Sequence, residues 1–593
     1  MAQNNRPKGV WRETSETFVN PYNFIPLGEE VIRSVPQYGS LTGRIRCKLT
    51  VKTPLAIPDT SRRTEEISCK EHYHYPFFSI DSENKPVHLI PGSSLRGVLR
   101  STFETVTNSC LSANNNNILS SRNPTPRRPG ILVKENGKWV LYNAKKKKFF
   151  SDTRPADGNS VIRKWYSIDR KKVTYSLFTI EDAVNCSDLE EAVEDYRECI
   201  EIYRKNAAEN RFFDKNFCID EGKPNPLFYE IVYGKNGKKN VYLSPAQISR
   251  SVYRNKLNDL LGSHCSCGER AENDGLLCEA CSLFGIINKK TSKATAGKIR
   301  VTDAHEKKFI SAGYKTLKEL ASPKTTAVEF YTERPKDTMV WNYDYITKSY
   351  DKQKDERGRN IKIPKRKLEE IRVRGRKFYF HSTAADYETK EKTKRNSTME
   401  LADIGSVFEF DIYFDGISEK HLSELVFAVT LGENSDESTL MHKLGHGKPL
   451  GLGSVKITVE GIELRNFDKE NGIYSVSNHK AEEYLPIAGI ALTDEMKAMF
   501  DLNTVKQVSY PIAVDKTSKS SANASASHQW FAANRMIGGT GTDPNIKYIL
   551  PMIKAPKLPT FEKDFVNSNT KPKTYSSGDN WGGGSIQIKK KRK

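Results

Sequence analysis

The stretch HCSCGERAENDGLLCEAC, residues 264 to 281, constrains this chain more than any other, because its cysteines stand close enough to share one ion. Cys278 and Cys281 form a C-x-x-C knuckle, and Cys267 precedes them with Cys265 and His264 beside it. A zinc ion wants four soft or borderline ligands in a tetrahedron, and one tight turn can supply two of them. Cys267, Cys278 and Cys281 give three; the fourth falls to Cys265, as C-x-C, or to His264, as H-x-x-C. Three or four sulfur donors describe a closed, structural Zn2+ site rather than a catalytic one, which keeps a position open. The bland alternative is four free thiols. The other six cysteines are scattered singly, so no disulfide scaffold is expected.

Around this cluster the apolar pattern divides the chain. Residues 1–39 read as a polar N-terminal arm. Residues 40–110 begin with GRIRCKLTVKTPLAI, where Ile45, Cys47, Leu49 and Val51 alternate with Arg44, Arg46, Lys48, Thr50 and Lys52 as in a strand with one apolar and one basic face. There follows IPGSSLRGVLRSTFETV, a helix by the spacing of Leu95, Val98, Leu99, Phe103 and Val106, with Ser93 or Ser94 as its cap. Residues 111–250 form an inserted lobe with the basic block Lys145 to Lys148 and a helix over 189–207, and 251–290 is the zinc-binding segment. Residues 291–465 return to core pattern after a long charged stretch, with strands at 406–416 and 450–464 flanking a helix at 417–432. A C-terminal extension (466–575) and a flexible basic tail (576–593) complete the chain, and no internal repeat is evident.

The 593 residues carry 94 Lys and Arg against 73 Asp and Glu, a net charge of +21, which points to a polyanionic partner. No apolar stretch approaches the ~20 residues that cross a bilayer, so no membrane partner is expected and a cytoplasmic location is. Two short motifs suit phosphate. IPGSSLRG offers a helix N-terminus with Ser93, Ser94 and Arg96, and GHGKPLGLGS offers Gly445, Gly447, Gly451 and Gly453 around Lys448, a loop whose backbone could approach a ligand.

Taken in order, the early strand, IPGSSLRG, the cysteine pair running into CSLFG, the strand ending in VTDA, then FEFDIYFD, a helix and the Gly-rich loop before a last strand resemble the RAMP superfamily of CRISPR-associated proteins. More narrowly they resemble the repeated backbone subunit of type III effector complexes, of the Csm and Cmr kind. The resemblance covers roughly 40–108 and 251–465. It implies an α+β, ferredoxin-like core of the RNA-recognition-motif kind that holds guide RNA, positions target RNA and assembles with other CRISPR effector subunits. It also implies a thumb within about 321–395, where Phe330, Tyr331, Trp341, Tyr343 and Tyr345 suit stacking on bases or, equally, core packing.

In family members that cut target RNA, an Asp in the loop after the first strand supports metal-dependent cleavage. Aligned on Pro76, that position is His74 here, which leaves Asp59 and Asp81 as substitute carboxylates for a Mg2+ or Mn2+ ion. The expected reading is a subunit that binds RNA and leaves cutting to its neighbours. Two alternatives stand beside it. One is a guide-processing endoribonuclease using His72, His74 or His446 as acid or base. The other is a zinc-stabilised nucleic-acid-binding protein outside CRISPR.

Overall fold

The computed structural model describes residues 9–565, less 83–84, 114–119, 123–126, 151–157, 167–172, 187–188, 207–216, 234–238, 248–249, 253–256, 269–274, 289–290, 321–324, 326, 335–339, 342, 344–345, 348–349, 355–359, 365–370, 469, 486–488, 516–522 and 539–547. The basic tail expected at 576–593 lies outside the described residues.

The core follows the order strand, helix, two strands, helix, strand. These are β1 (Leu41–Val51), α1 (Gly92–Val106), β2 (Ala304–Lys308), β3 (Val407–Ile417), α2 (Glu419–Thr430) and β4 (Ser454–Asp468). In the sheet they lie as β4-β1-β3-β2, every neighbour antiparallel, with Cys47 of β1 between Phe410 of β3 and Val459 of β4. Strands Lys85–Ile90 and Ser79–Ser82 widen the sheet beyond β2. The expected alternation holds: Ile45, Cys47, Leu49 and Val51 are buried, and so are Phe408, Phe410, Ile412 and Phe414. Leu95, Leu99 and Phe103 of α1 and Leu422, Leu425, Val426 and Val429 of α2 belong to the same core. Each such side chain contributes roughly 1.5–3 kcal/mol on leaving water.

The opposite face of β1 is basic but not free. Arg44 donates to Glu463 at 2.7 Å and to Asp411 at 3.3 Å, Arg46 lies 3.4 Å from Glu463, and Lys48 pairs with Asp436 at 2.6 Å. The basic face expected from the alternation is occupied by the protein's own carboxylates.

The two ends of the chain meet. Strand Gly9–Val19 of the arm pairs with Lys557–Phe565, which also takes Ala513–Asp515, around Trp11, Phe18, Trp530 and Phe561. Next in the arm, Tyr22–Ile25 pairs with Arg376–Tyr379. The inserted lobe is a six-stranded sheet running from Ser160–Tyr166 at one edge to Lys239–Ser244 at the other, and helix Leu189–Asn206 joins Leu132, Leu141 and Tyr229 in its core through Val193.

In the charged stretch, Phe330 and Tyr343 are buried, Phe330 against Trp530 and Phe531, so packing claims them. Tyr345 and the side chain of Trp341 lie outside the described residues.

Candidate functional site

The cysteines gather as the spacing led us to expect, with one change of member. Cys110, Cys267, Cys278 and Cys281 are all buried and their sulfurs lie within 4.8 Å of one another, Cys110 and Cys281 at 3.5 Å. Cys278 caps the short helix Glu279–Phe284, which carries Cys281 one turn on. Cys110 arrives from just past the end of α1, held there by Leu111, whose amide donates to the His264 carbonyl, and by Ser109, whose hydroxyl accepts from the Ala280 amide.

His264 and Cys265, the two residues considered for the fourth position, lie outside the group. The imidazole of His264 is 2.9 Å from Asn108 Oδ1, and Cys265 is half-buried beside the cluster. A lone cysteine following a helix gives no local signal. The clue was arithmetic: three secure ligands require a fourth, and Cys110 was among the singletons.

The donor set fits Zn2+. Metal–sulfur bonds of ~2.3 Å in a tetrahedron put sulfurs about 3.8 Å apart, close to the spacing here. Hydrogen bonding from Cys110, Cys278 and Cys281 holds the Cys267 thiol far below its ordinary value, while the same crowding pushes Cys281 up. Such a group is a ligand set that gives up its protons to solvent when a metal binds. Arg33 Nε lies 3.3 Å from Cys267 Sγ, and an Arg100 nitrogen lies 3.5 Å from Cys281 Sγ.

The two phosphate motifs come together in one place. A cavity of about 590 Å³ is lined by Ser93, Ser94 and Gly97 of α1, by Gly445, His446 and Lys448 of the glycine loop, and by Lys377, His381, His442 and Lys443. α1 begins at Gly92 after Pro91, so Ser93 and Ser94 sit in its exposed first turn and not at the cap. The Gly92 amide is taken by Asp303 at 2.7 Å.

Burial lowers the lysines: Lys443 to about 7, Lys377 to about 8, and Lys448 as well. Lys443 donates to the Gly451 carbonyl and Ser454 Oγ, and Lys377 lies 3.9 Å over the Tyr22 ring. Among the described residues no carboxylate pairs with any of the three. Burial also lowers His442, to about 4, and His381, and partial desolvation beside the Lys448 charge lowers His446. Lys377, Lys443, His381 and His442 were missed in the sequence because no local pattern marks them.

The glycines divide by cause. A Cβ on Gly445 would lie 2.4 Å from the Ala56 carbonyl, on Gly447 2.6 Å from Leu452, on Gly451 2.9 Å from Ala385, and on Gly453 1.9 Å from the Leu444 carbonyl, all with positive φ. The fold by itself requires glycine at these four positions. Gly97 is the reverse: it is helical, exposed to the cavity, and a Cβ there would meet nothing.

Arg96 is also turned inward. It donates to the Phe284 carbonyl and stacks over the Phe284 ring, tying α1 to the cysteine helix instead of reaching the cavity.

The carboxylates offered for catalysis are engaged. Asp59 is buried and accepts from the Ser61 amide at 2.9 Å and the Ser61 hydroxyl at 2.5 Å, while Arg62 bridges Asp59 at 3.6 Å and Asp81 at 2.9 Å. His74 pairs with Glu66 at 2.9 Å in a strand of the small sheet beside the core. His72 is buried against Asn396 and Thr398. None of these lines the cavity. Among the described residues no helix is long and apolar enough to cross a membrane.

Comparison with known proteins gives a family-model match over part of the chain and distant structures. No curated protein matches the chain. Similar solved structures include a chain of a type IV-B CRISPR complex (11% identity, 70% of this chain and 90% of that chain covered, TM-score 0.22) and Csc2 of Thermofilum pendens (8%, 73% and 71%, 0.21). A third is a chain of the type III-B Cmr-beta complex bound to cognate target RNA (11%, 72% and 98%, 0.17). At these TM-scores the likeness carries nothing further. The RAMP superfamily model matches residues 48–261, from within β1 through α1 and the inserted lobe to the edge of the cysteine segment. Over those residues, about a third of the chain, the sequence is similar to the RAMP superfamily.

Proposed function

We propose that this chain is an RNA-binding subunit of a type III-like CRISPR effector complex, holding guide RNA in the cavity between α1 and the glycine loop and positioning target RNA beside it. We read its core, with strand order β4-β1-β3-β2 and two helices, as ferredoxin-like. The observation that carries the reading is the convergence of the α1 first turn with Lys377, Lys443 and Lys448, three half-buried cations that have no carboxylate partner among the described residues. A polyanion would supply the missing charge, and phosphate suits a helix N-terminus. The four cysteines are a structural Zn2+ site in this reading, stabilising the fold and taking no part in chemistry. The test is binding of single-stranded RNA to the full chain: loss of Lys443 and Lys448 should weaken it for all sequences alike. Selective loss for one sequence would speak against phosphate contact.

A second reading has one observation in its favour. His381, His442 and His446 line the same cavity, as an acid–base ribonuclease would require. His442 is committed to the Val429 carbonyl and His381 to Ser454, which leaves His446, exposed at the rim, as the candidate. RNA cleavage that survives chelation and disappears in His446→Ala would establish it. Mg2+- or Mn2+-dependent cleavage through Asp59 or Asp81 would first have to displace Arg62.

A further inference from the structure

Arg33 belongs to the arm, far in sequence from the cysteines, yet its guanidinium is built into their surroundings. Its Nε points to Cys267 Sγ at 3.3 Å, and one terminal nitrogen donates to the carbonyls of Ser263 at 2.7 Å and Cys265 at 3.0 Å. Next to it, Ser34 and Leu277 exchange two backbone hydrogen bonds, at 3.0 and 2.9 Å, and the Val31 amide donates to Ser263. On the other side of the cluster Arg100 reaches Cys281 at 3.5 Å while bonding Glu104 and the Gly285 carbonyl. A divalent ion held by four thiolates carries a net charge of −2, which in a buried site needs compensation. Arg33 and Arg100 bring two guanidiniums to the sulfurs, and Arg376, 3.4 Å from the Cys110 carbonyl, offsets the Glu104 carboxylate that Arg100 also bonds, so the charges balance; hydrogen bonds to coordinating sulfurs tune and steady a metal.

We propose that Arg33 and Arg100 are the counter-cations of a four-thiolate metal centre, and that the arm segment around Arg33 docks on the chain through that charge. The inference rests on reading the four cysteines as a metal site. It gives the metal a second task. The same arm carries Tyr22–Ile25, which pairs with the strand bearing Lys377 and Tyr379 of the cavity wall, so a metal that fixes the arm also steadies that wall from one side. From the other side Arg96 and Arg100 hold α1 to the helix that carries Cys281.

The experiment uses the full chain with one equivalent of Co2+ or Zn2+, and follows thiolate-to-cobalt absorption, metal affinity by chelator competition, and amide exchange of residues 28–38. Wild type should show the absorption of four thiolates and a protected arm segment that opens when the metal is removed. Arg33→Ala should lose about 10–100-fold in metal affinity, with Arg33→Lys between the two, and should expose the arm segment while strand Arg128–Glu135 of the lobe keeps its protection. A wild-type chain that takes up no thiolate-bound metal would sink the metal reading itself. A chain that binds metal normally but whose arm exchanges equally with and without it, and whose Arg33 variants bind as tightly, would overturn the proposal alone.

Discussion

Two basic regions of this protein have similar composition and opposite states. On the open face of β1, Arg44, Arg46 and Lys48 each have a carboxylate in reach, from Glu463, Asp411 or Asp436. In the cavity, Lys377, Lys443 and Lys448 have carbonyls, hydroxyls and an aromatic ring but no anion among the described residues, and burial drives all three below the ordinary lysine value. A surface ion pair is worth little and costs little. A cation drawn out of water without an anion is costly, and in the proposed reading RNA brings the opposite charge to these three. Charge density in a sequence therefore does not by itself mark a polyanion site; in the proposed reading it is the unpaired charge that does. The cysteine cluster lies on the satisfied side of this comparison, since its sulfurs have one another and two guanidiniums.

The largest effect should come from breaking a satisfied centre. Cys110→Ser should abolish metal uptake, from about one equivalent to none, and greatly reduce folded, soluble chain, because a structural metal contributes directly to folding. Cys265→Ser should change neither. Metal analysis with thermal unfolding decides, and equal metal content in Cys110→Ser would remove Cys110 from the ligand set.

Next come the unpaired lysines. Lys443→Ala with Lys448→Ala should lower single-stranded RNA affinity about 10–100-fold and reduce the salt slope by roughly 1.4, two contacts at ~0.7 each. Anisotropy titrations at several salt concentrations measure both. An unchanged slope would show that these lysines shape the fold and do not meet phosphate.

The same lysines predict a pH dependence. Lys443 sits at about 7 and Lys377 at about 8 in the free protein, and bound phosphate favours their charged forms. Binding then takes up protons above pH 7, so affinity should fall as pH rises from 7 to 9, by about tenfold or more. Arg44 of β1, held charged by Glu463, does not titrate there, and the lowered cavity histidines are already neutral. A flat profile at constant ionic strength would place RNA elsewhere.

Gly97→Ala separates ligand from fold. An exposed helical glycine costs about 0.5–1 kcal/mol relative to Ala, so the variant should be more stable by that amount, yet bind RNA several-fold less well if a backbone passes close to α1. Gly453→Ala should be destabilised instead, since its φ is +79° and its Cβ would meet a carbonyl. Stability gained with affinity unchanged would mean that no ligand approaches there. The smallest effect belongs to Arg46→Ala: less than about twofold in RNA binding and at most ~1 kcal/mol in stability.

Much was legible because it is local. The alternation of Ile45, Cys47, Leu49 and Val51 specifies a strand with one buried face, since successive side chains point opposite ways. The spacing of Leu95, Leu99 and Phe103 specifies a helix, and C-x-x-C at 278 and 281 specifies two ligands on one turn. The order of these pieces was enough to suggest the superfamily. What only the tertiary structure decided are the partnerships across sequence. Cys110 joins Cys281 from 171 positions away, and Arg44 finds Glu463 from 419 positions away. Lys377 and Lys443 share a cavity with the α1 first turn only in the folded chain. Periodicity reports which face of an element is apolar; whether a charge on the other face is already paired depends on which strand folds beside it, and the chain's local pattern does not contain that.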